Sequence, residues 1–174
     1  DTEKDILPVT NLVENPGVFV VVNPSLGVKN LQELIDLARK PNSQLSFGSP
    51  GIGNNLHLSG EFFNAKAGTA ILHIPYKGAG PAVASLLAGE TQVMFSTPPA
   101  VMAQIKAGKL IALSYSDTRR HAQMPEVPTA TEAGLGSFTH HGGWFGMFAP
   151  ANTPLAVLNR LTKSTVTGKS FNRS

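Results

Sequence analysis

The 174 residues are 41% hydrophobic and 14% charged, with 17 glycines and 13 prolines, a composition too apolar for disorder in a chain long enough to bury about 70% of its unfolded surface. The absence of cysteine excludes thiol nucleophiles, iron–sulfur clusters and cysteine-type zinc sites. Fourteen Lys+Arg against eleven Asp+Glu give a net charge of +3 and a pI near 9.3, but only Arg119-Arg120 forms a basic pair, so a solvated cationic surface is expected and no nucleic-acid partner.

Val18 to Val22 is the longest apolar run, and it falls far short of the roughly 20 residues of a membrane helix. The sequence opens at Asp1 with no charged-then-apolar leader, so a secretory signal is expected to have been removed or to lie outside it. β-Branched and closed by Asn23-Pro24, the run Val18 to Val22 predicts a buried strand. Asn30 with Glu33 opens a helix whose Leu31, Leu34, Ile35 and Ala38 share a face, and Pro41 stops it. Leu45 to Phe47 predicts a strand, Ser49 to Gly53 a tight loop, and Asn54 to Ala67 a helix with Leu58, Phe62 and Ala65 on one face, ended by Gly68.

The unit then recurs. Ile71 to Ile74 leads through Tyr76 to Gly80 into a helix from about Pro81 to Ala88, and Val93 to Phe95 leads through Ser96 to Pro99 into a helix ending at Gly108. Leu110 to Ser114 follows as a strand. Strands alternating with helices predict an α/β fold with a largely parallel sheet flanked by helices. Beyond Ser116, Thr129 and Glu132 are expected to cap a short helix ending at Gly134, Trp144 to Phe148 to form a strand, and Thr153-Pro154 to start a helix carrying Leu155, Leu158 and Leu161. Gly168 to Ser174 is aperiodic and expected to fray.

Three loops, Ser49 to Asn54, Tyr76 to Gly80 and Ser96 to Pro99, each leave a strand and open a helix, which predicts one shared sheet edge lined with helix N-termini. The guest expected there is an anion. Gly51 and Gly53 allow close approach, Ser49, Asn54, Ser96 and Thr97 offer short polar side chains, and Lys77 is the one cation, which favours a carboxylate over a polyphosphate. Plainer roles stand beside these: the glycines as a turn, Ser49 or Asn54 as a helix cap, Tyr76 packed under the next helix, and Lys77 in solvent.

Catalytic templates fit poorly. Gly48-Ser49-Pro50-Gly51 lacks the spacing of a nucleophile elbow. Gly168-Lys169-Ser170 imitates the end of a phosphate-binding loop, but Lys163 stands where its first glycine belongs. No metal spacing emerges from the five histidines, of which only His57 lies near the anion edge, and no loop carries paired carboxylates. No catalytic residue, metal or cofactor is therefore expected.

Five segments together resemble a known family: Leu45 to Leu58 with its Gly51-Ile52-Gly53-Asn54 turn, His73 to Gly78, Ile105 to Leu110, Pro125 to Thr129 with Glu132 to Gly134, and Trp144 to Gly146 with Ala149-Pro150. Their order is that of the Bug-type substrate-binding proteins of tripartite tricarboxylate transporters, and the resemblance covers about Asp5 to about Leu161. It implies a periplasmic solute receptor, not an enzyme, with two periplasmic-binding-protein-like α/β lobes joined by a hinge. Such a receptor binds a small carboxylate or related acidic solute and delivers it to the transporter's membrane components. Carried over by position, the ligand contacts are Ser49, Gly51, Gly53 and Asn54, then Tyr76, Lys77 and Gly78, then Ser96 and Thr97. His57 stands at the family's usual histidine, in a structural role.

The resemblance also divides the chain. Residues 1–17 lead into a hinge, residues 18–149 form the ligand-binding lobe with hinge strands at 18–22 and 144–148, and residues 150–174 are a remnant of the other, incomplete lobe with a frayed tail. Family members carry an additional N-terminal region and extend past the helix that here trails off after Leu161, so a chain truncated at both ends, weaker binding by several kcal/mol and self-association through exposed remnant surface are expected. An anion-handling α/β enzyme using His57 or Lys77 as base, and a non-transport interaction module, are the alternatives.

Overall fold

The structure, a computed structural model, describes residues 5–164 and 169–170. In chain order these form β1 (Ile6–Glu14), β2 (Phe19–Val22), α1 (Leu31–Ala38), β3 (Ser46–Ser49), α2 (Asn55–Ala67), β4 (Leu72–Pro75) and α3 (Ala79–Ala88). After them come β5 (Val93–Ser96), α4 (Pro98–Lys106), β6 (Ile111–Tyr115), β7 (Trp144–Pro150), α5 (Leu155–Ser164) and β8 (Lys169–Ser170). Two units result: Pro16–Gly142 is one, and the described residues on either side of it form the other.

In the larger unit the strand order is β4-β3-β5-β2-β6. Strands β4 and β5 run parallel to β3, whereas β2 runs antiparallel to both β5 and β6. The largely parallel sheet expected from the βα repeat is therefore mixed, with β2 opposed to its four companions. Every residue of β2 is fully buried, and an all-apolar run marks burial on both faces without encoding direction.

Alternation along the central strands assigns the two faces. Val20, Val22, Phe47 and Phe95 pack with Leu31, Leu34 and Ile35 of α1 and Leu56 and Phe63 of α2. Phe19, Val21 and Met94 pack with Leu86 of α3 and Val101 of α4 on the opposite face. Each such side chain contributes about 1.5–3 kcal/mol through burial. Helix α1 follows its sequence pattern: Asn30 Oδ1 accepts the Glu33 amide, and Leu31, Leu34, Ile35 and Ala38 are buried.

Helix α2 turns a different face inward. Its buried residues are Leu56, Ser59, Gly60, Phe63 and Ala67, while Leu58 is 56% exposed. The cause is Phe47, whose ring fills the space a side chain on Gly60 would need; a small residue, and not the expected Leu58-Phe62-Ala65 stripe, sets the rotation. The capping pair at 129–132 also forms without its helix. Thr129 Oγ1 accepts the Glu132 amide at 3.2 Å and Glu132 Oε2 accepts the Thr129 amide at 2.7 Å, but Gly134 at φ 87° turns the chain away at once.

The smaller unit has the order β7-β1-β8, with β1 antiparallel to both neighbours. Its first strand runs through what the sequence suggested was a mere leading segment; Pro8 lies at a register shift in the β1–β7 ladder, where a proline is tolerated. The chain passes between units at Asn15–Pro16 and Gly142–Gly143. Residues 19–22 are an interior strand of the larger sheet, and residues 144–148 pair with β1. Within the tail expected to fray, Lys169 and Ser170 pair with Asn11 and Thr10; residues 165–168 and 171–174 lie outside the described residues. No helix among the described residues is long and apolar enough to cross a membrane.

Candidate functional site

Because β4, β3 and β5 are parallel neighbours, their carboxyl ends deliver the three glycine- and serine-bearing loops to one edge of the sheet, as expected. Two loops continue the β3–β4 ladder beyond the strands. The Tyr76 amide donates to Ser49 O at 2.9 Å and the Gly78 amide to Pro50 O at 3.1 Å.

In the first loop most side chains are committed internally. Ser49, expected as a ligand contact, is fully buried; its Oγ accepts the Gly51 amide at 3.2 Å and lies 3.1 Å from Gly51 O and 2.6 Å from His73 Nε2. Asn54 caps α2 by accepting the Leu56 amide at 3.0 Å. Gly53 occupies φ 77°, a left-handed conformation with open space around it, so backbone and not crowding demands glycine there. Its amide donates to His57 Nδ1 at 3.1 Å.

The second loop leaves its donors open. Gly78, at φ 113°, is the N-cap of α3 and supplies no side-chain bond, so the Ala79 and Gly80 amides point out of the helix without an intrahelical acceptor. Lys77 is exposed next to them. Tyr76 takes the plainer role: its hydroxyl hydrogen-bonds Ser85 of α3, which in turn lies 3.2 Å from Thr91 Oγ1. The third loop offers little. Pro98 and Pro99 occupy the first two positions of α4 and have no N–H, and the Ala100 amide is spent on Thr97 O at 3.1 Å. Ser96 is fully buried, and Thr97 makes no side-chain cap, which leaves its hydroxyl as that loop's one polar offering.

The groups able to meet a solute are thus the α3 amides, Lys77, the Thr97 hydroxyl and the outward backbone of the first loop. Burial, reinforced by His57 and opposed by Glu61, holds the His73 imidazole below its ordinary pKa, so the edge gains no positive charge from it at neutral pH. Among the described residues no group of three or more His, Asp or Glu side chains is arranged to hold a metal. The helix-end amides expected from the sequence are located at Ala79 and Gly80 by Gly78 as an uncapped N-cap. His73 is not singled out there, because it is paired with Phe47 only through parallel register, which the sequence does not mark.

Residues 1–172 match the family model described as the tripartite tricarboxylate transporter family receptor. The chain belongs to that receptor family. BugT of Bordetella pertussis is 36% identical over 160 residues, covering 90% of this chain and 48% of BugT. Among solved structures, the R. palustris protein Rpa4515 with adipate is 29% identical with a TM-score of 0.87, over 94% of this chain and 54% of that one. MatC from Rhodopseudomonas palustris with bound malate is 27% identical with a TM-score of 0.83, over 91% of this chain and 53% of MatC. This receptor-family chain spans about half the length of the curated relatives it matches.

Proposed function

We propose that this chain is a solute-binding wall of a tripartite-transporter receptor, holding a small carboxylate or related acidic solute at the carboxyl edge of β3, β4 and β5. The amino end of α3 carries the reading: Gly78 leaves the Ala79 and Gly80 amides uncapped, with Lys77 exposed beside them. Unpaired amides at the positive end of a helix dipole, plus one cation, suit a carboxylate and fall short of a polyphosphate. Adipate with Rpa4515 and malate with MatC, both dicarboxylates, support that class.

In this reading Lys77, Gly78 and Thr97 face the solute. Ser49, Gly51, Gly53 and Asn54 contribute backbone and loop shape, Tyr76 seats α3, and Ser96 supports Thr97. The solute is bound and released unchanged in the periplasm and passed to the transporter's membrane components. An enzymatic base is disfavoured, because His57 Nδ1 is occupied by the Gly53 amide and Lys77 is exposed. Self-association belongs to the same proposal: Trp144 and Phe148 share one face of β7 with ring centroids 6.0 Å apart and are 51% and 46% exposed, an apolar surface that a second copy would cover. Concentration-independent monomeric light scattering would sink that part.

Calorimetry of the chain against mono-, di- and tricarboxylates, amino dicarboxylates and aromatic acids tests the site. Saturable binding to one class, weakened by Lys77→Ala and abolished by Gly53→Val, is expected. Binding indifferent to both substitutions overturns the site, and no binding to any acid by the folded chain overturns the reading.

A further inference from the structure

Two imidazoles lie stacked behind the first loop. His57, from the first turn of α2, and His73, from β4, have ring centroids 3.9 Å apart at 26°, and Phe47 of β3 covers them at 6.5 and 5.0 Å. Each ring reaches one loop glycine. His57 Nδ1 accepts the Gly53 amide at 3.1 Å. His73 Nε2 sits 2.6 Å from Ser49 Oγ, the atom that accepts the Gly51 amide at 3.2 Å.

The bond to Gly53 fixes the tautomer of His57. With Nδ1 accepting, the ring proton is on Nε2, which lies 3.6 Å from Glu61 Oε1 on the next turn of α2. A second proton, placed on Nδ1, turns the acceptor into a donor aimed at another donor, and the Gly53 amide must turn away. Ser49 couples the other ring to Gly51: its single hydroxyl proton goes either to Gly51 O or to His73 Nε2, according to whether Nε2 carries a hydrogen of its own. The groups acting on His73 are His57, which opposes a charge, and Glu61, which favours one, on top of burial. Two imidazolium charges on stacked rings would repel.

We propose that His57 and His73 are positioning residues for the Gly51–Gly53 turn: neutral His57 holds the Gly53 amide, His73 sets which way the Ser49 hydroxyl bonds toward Gly51, and the turn changes shape as the pH falls. That this turn is the solute loop rests on the function proposed above; the positioning itself does not.

The test is a ¹H–¹⁵N NMR titration of the solute-free, 174-residue chain from about pH 8 to about pH 5, the range in which imidazoles titrate. The amides of Gly51 and Gly53 are followed alongside both imidazole rings. The Gly53 amide proton is expected to shift upfield in step with the His57 ring as its hydrogen bond is lost. In His57→Gln, whose side-chain oxygen accepts without titrating, Gly53 is expected to hold one position throughout. In His73→Gln, Gly51 is expected to lose its pH dependence while Gly53 still follows His57. Glycine amides that stay fixed while the rings titrate overturn the proposal, as does an unchanged Gly53 titration in His57→Gln. If a variant fails to fold, the wild-type titration decides alone. With no solute present, failure here leaves the carboxylate calorimetry untouched, and absence of heat in that calorimetry leaves this titration standing.

Discussion

Asn55 Nδ2 donates to the carbonyl of Gly142 at 2.6 Å, tying the first residue of α2 to the last residue of the larger unit. His140 reinforces the attachment, with Nε2 2.9 Å from Ser59 Oγ and its carbonyl accepting from Ser116 Oγ at 2.8 Å. Asn55→Ala leaves the buried Gly142 oxygen without this donor and is expected to cost about 1 kcal/mol. It should also raise amide hydrogen exchange at 140–142 while β2 stays protected. Unchanged exchange in that segment would count against the anchoring role.

Gly60→Ala places a methyl group where the Phe47 ring lies. The expected loss is about 1–3 kcal/mol, the range for an overpacked core, despite alanine's better helix propensity. Chemical denaturation gives the value, and Phe47→Leu in the same background should recover part of it. A neutral or stabilising Gly60→Ala would mean that α2 is not seated through that glycine.

Stability should fall with acidification below about pH 6.5, the ordinary imidazole range. Burial holds His73, His121 and His140 below their usual pKa, helped by His57, Lys106 and His141 respectively. The unfolded chain therefore binds more protons in this window, so their contribution is complete above pH 6.5 and is lost as the pH passes down through the folded values. A second, smaller loss follows below the ordinary carboxylate range: the Arg120 hydrogen bond, with those from Thr129, lowers Glu132 to about 2, but the pair is solvent-exposed and screened. Urea midpoints at about pH 7.5 and about pH 5.5 check the first window; a midpoint that rises on acidification reverses the sign of the argument.

Pro99→Ala restores one N–H to the amino end of α4, where two prolines now provide none. If the solute sits across the three loops, this added donor should tighten carboxylate binding roughly threefold, corresponding to about 0.7 kcal/mol from one helix-end amide. Calorimetry of the wild type and variant against the same acid decides it, and an unchanged affinity places the solute away from the third loop.

Much of the fold was legible because it is written locally. Asn30 and Glu33 mark α1, Gly68 and Gly89 close α2 and α3 in left-handed C-caps, and the recurrence of strand, loop and helix forces the three loops onto one edge. What stayed hidden depends on neighbours far along the chain. The reversed direction of β2 follows from its insertion between β5 and β6, and the inward face of α2 from Phe47 meeting Gly60. At the site, the types of residue were readable but their orientations were not: Ser49, Asn54 and Tyr76 have the right chemistry for a ligand and spend it on the turn, the helix cap and Ser85.

The larger unit is continuous in sequence, and the smaller one is made from what lies before and after it. At the junction the β1–β7 ladder runs to Glu14 opposite Trp144, and the Asn15 amide donates to Gly143 O at 2.8 Å. The two strands leave that last rung about 5 Å apart, the spacing of neighbouring strands. Residues 16–142 are thus an insert at the tip of a β-hairpin, a cassette whose ends nearly meet. Such a cassette lends itself to excision, to circularisation through a short linker, or to grafting onto the tip of another hairpin, and its removal would let a two-residue turn join β1 directly to β7.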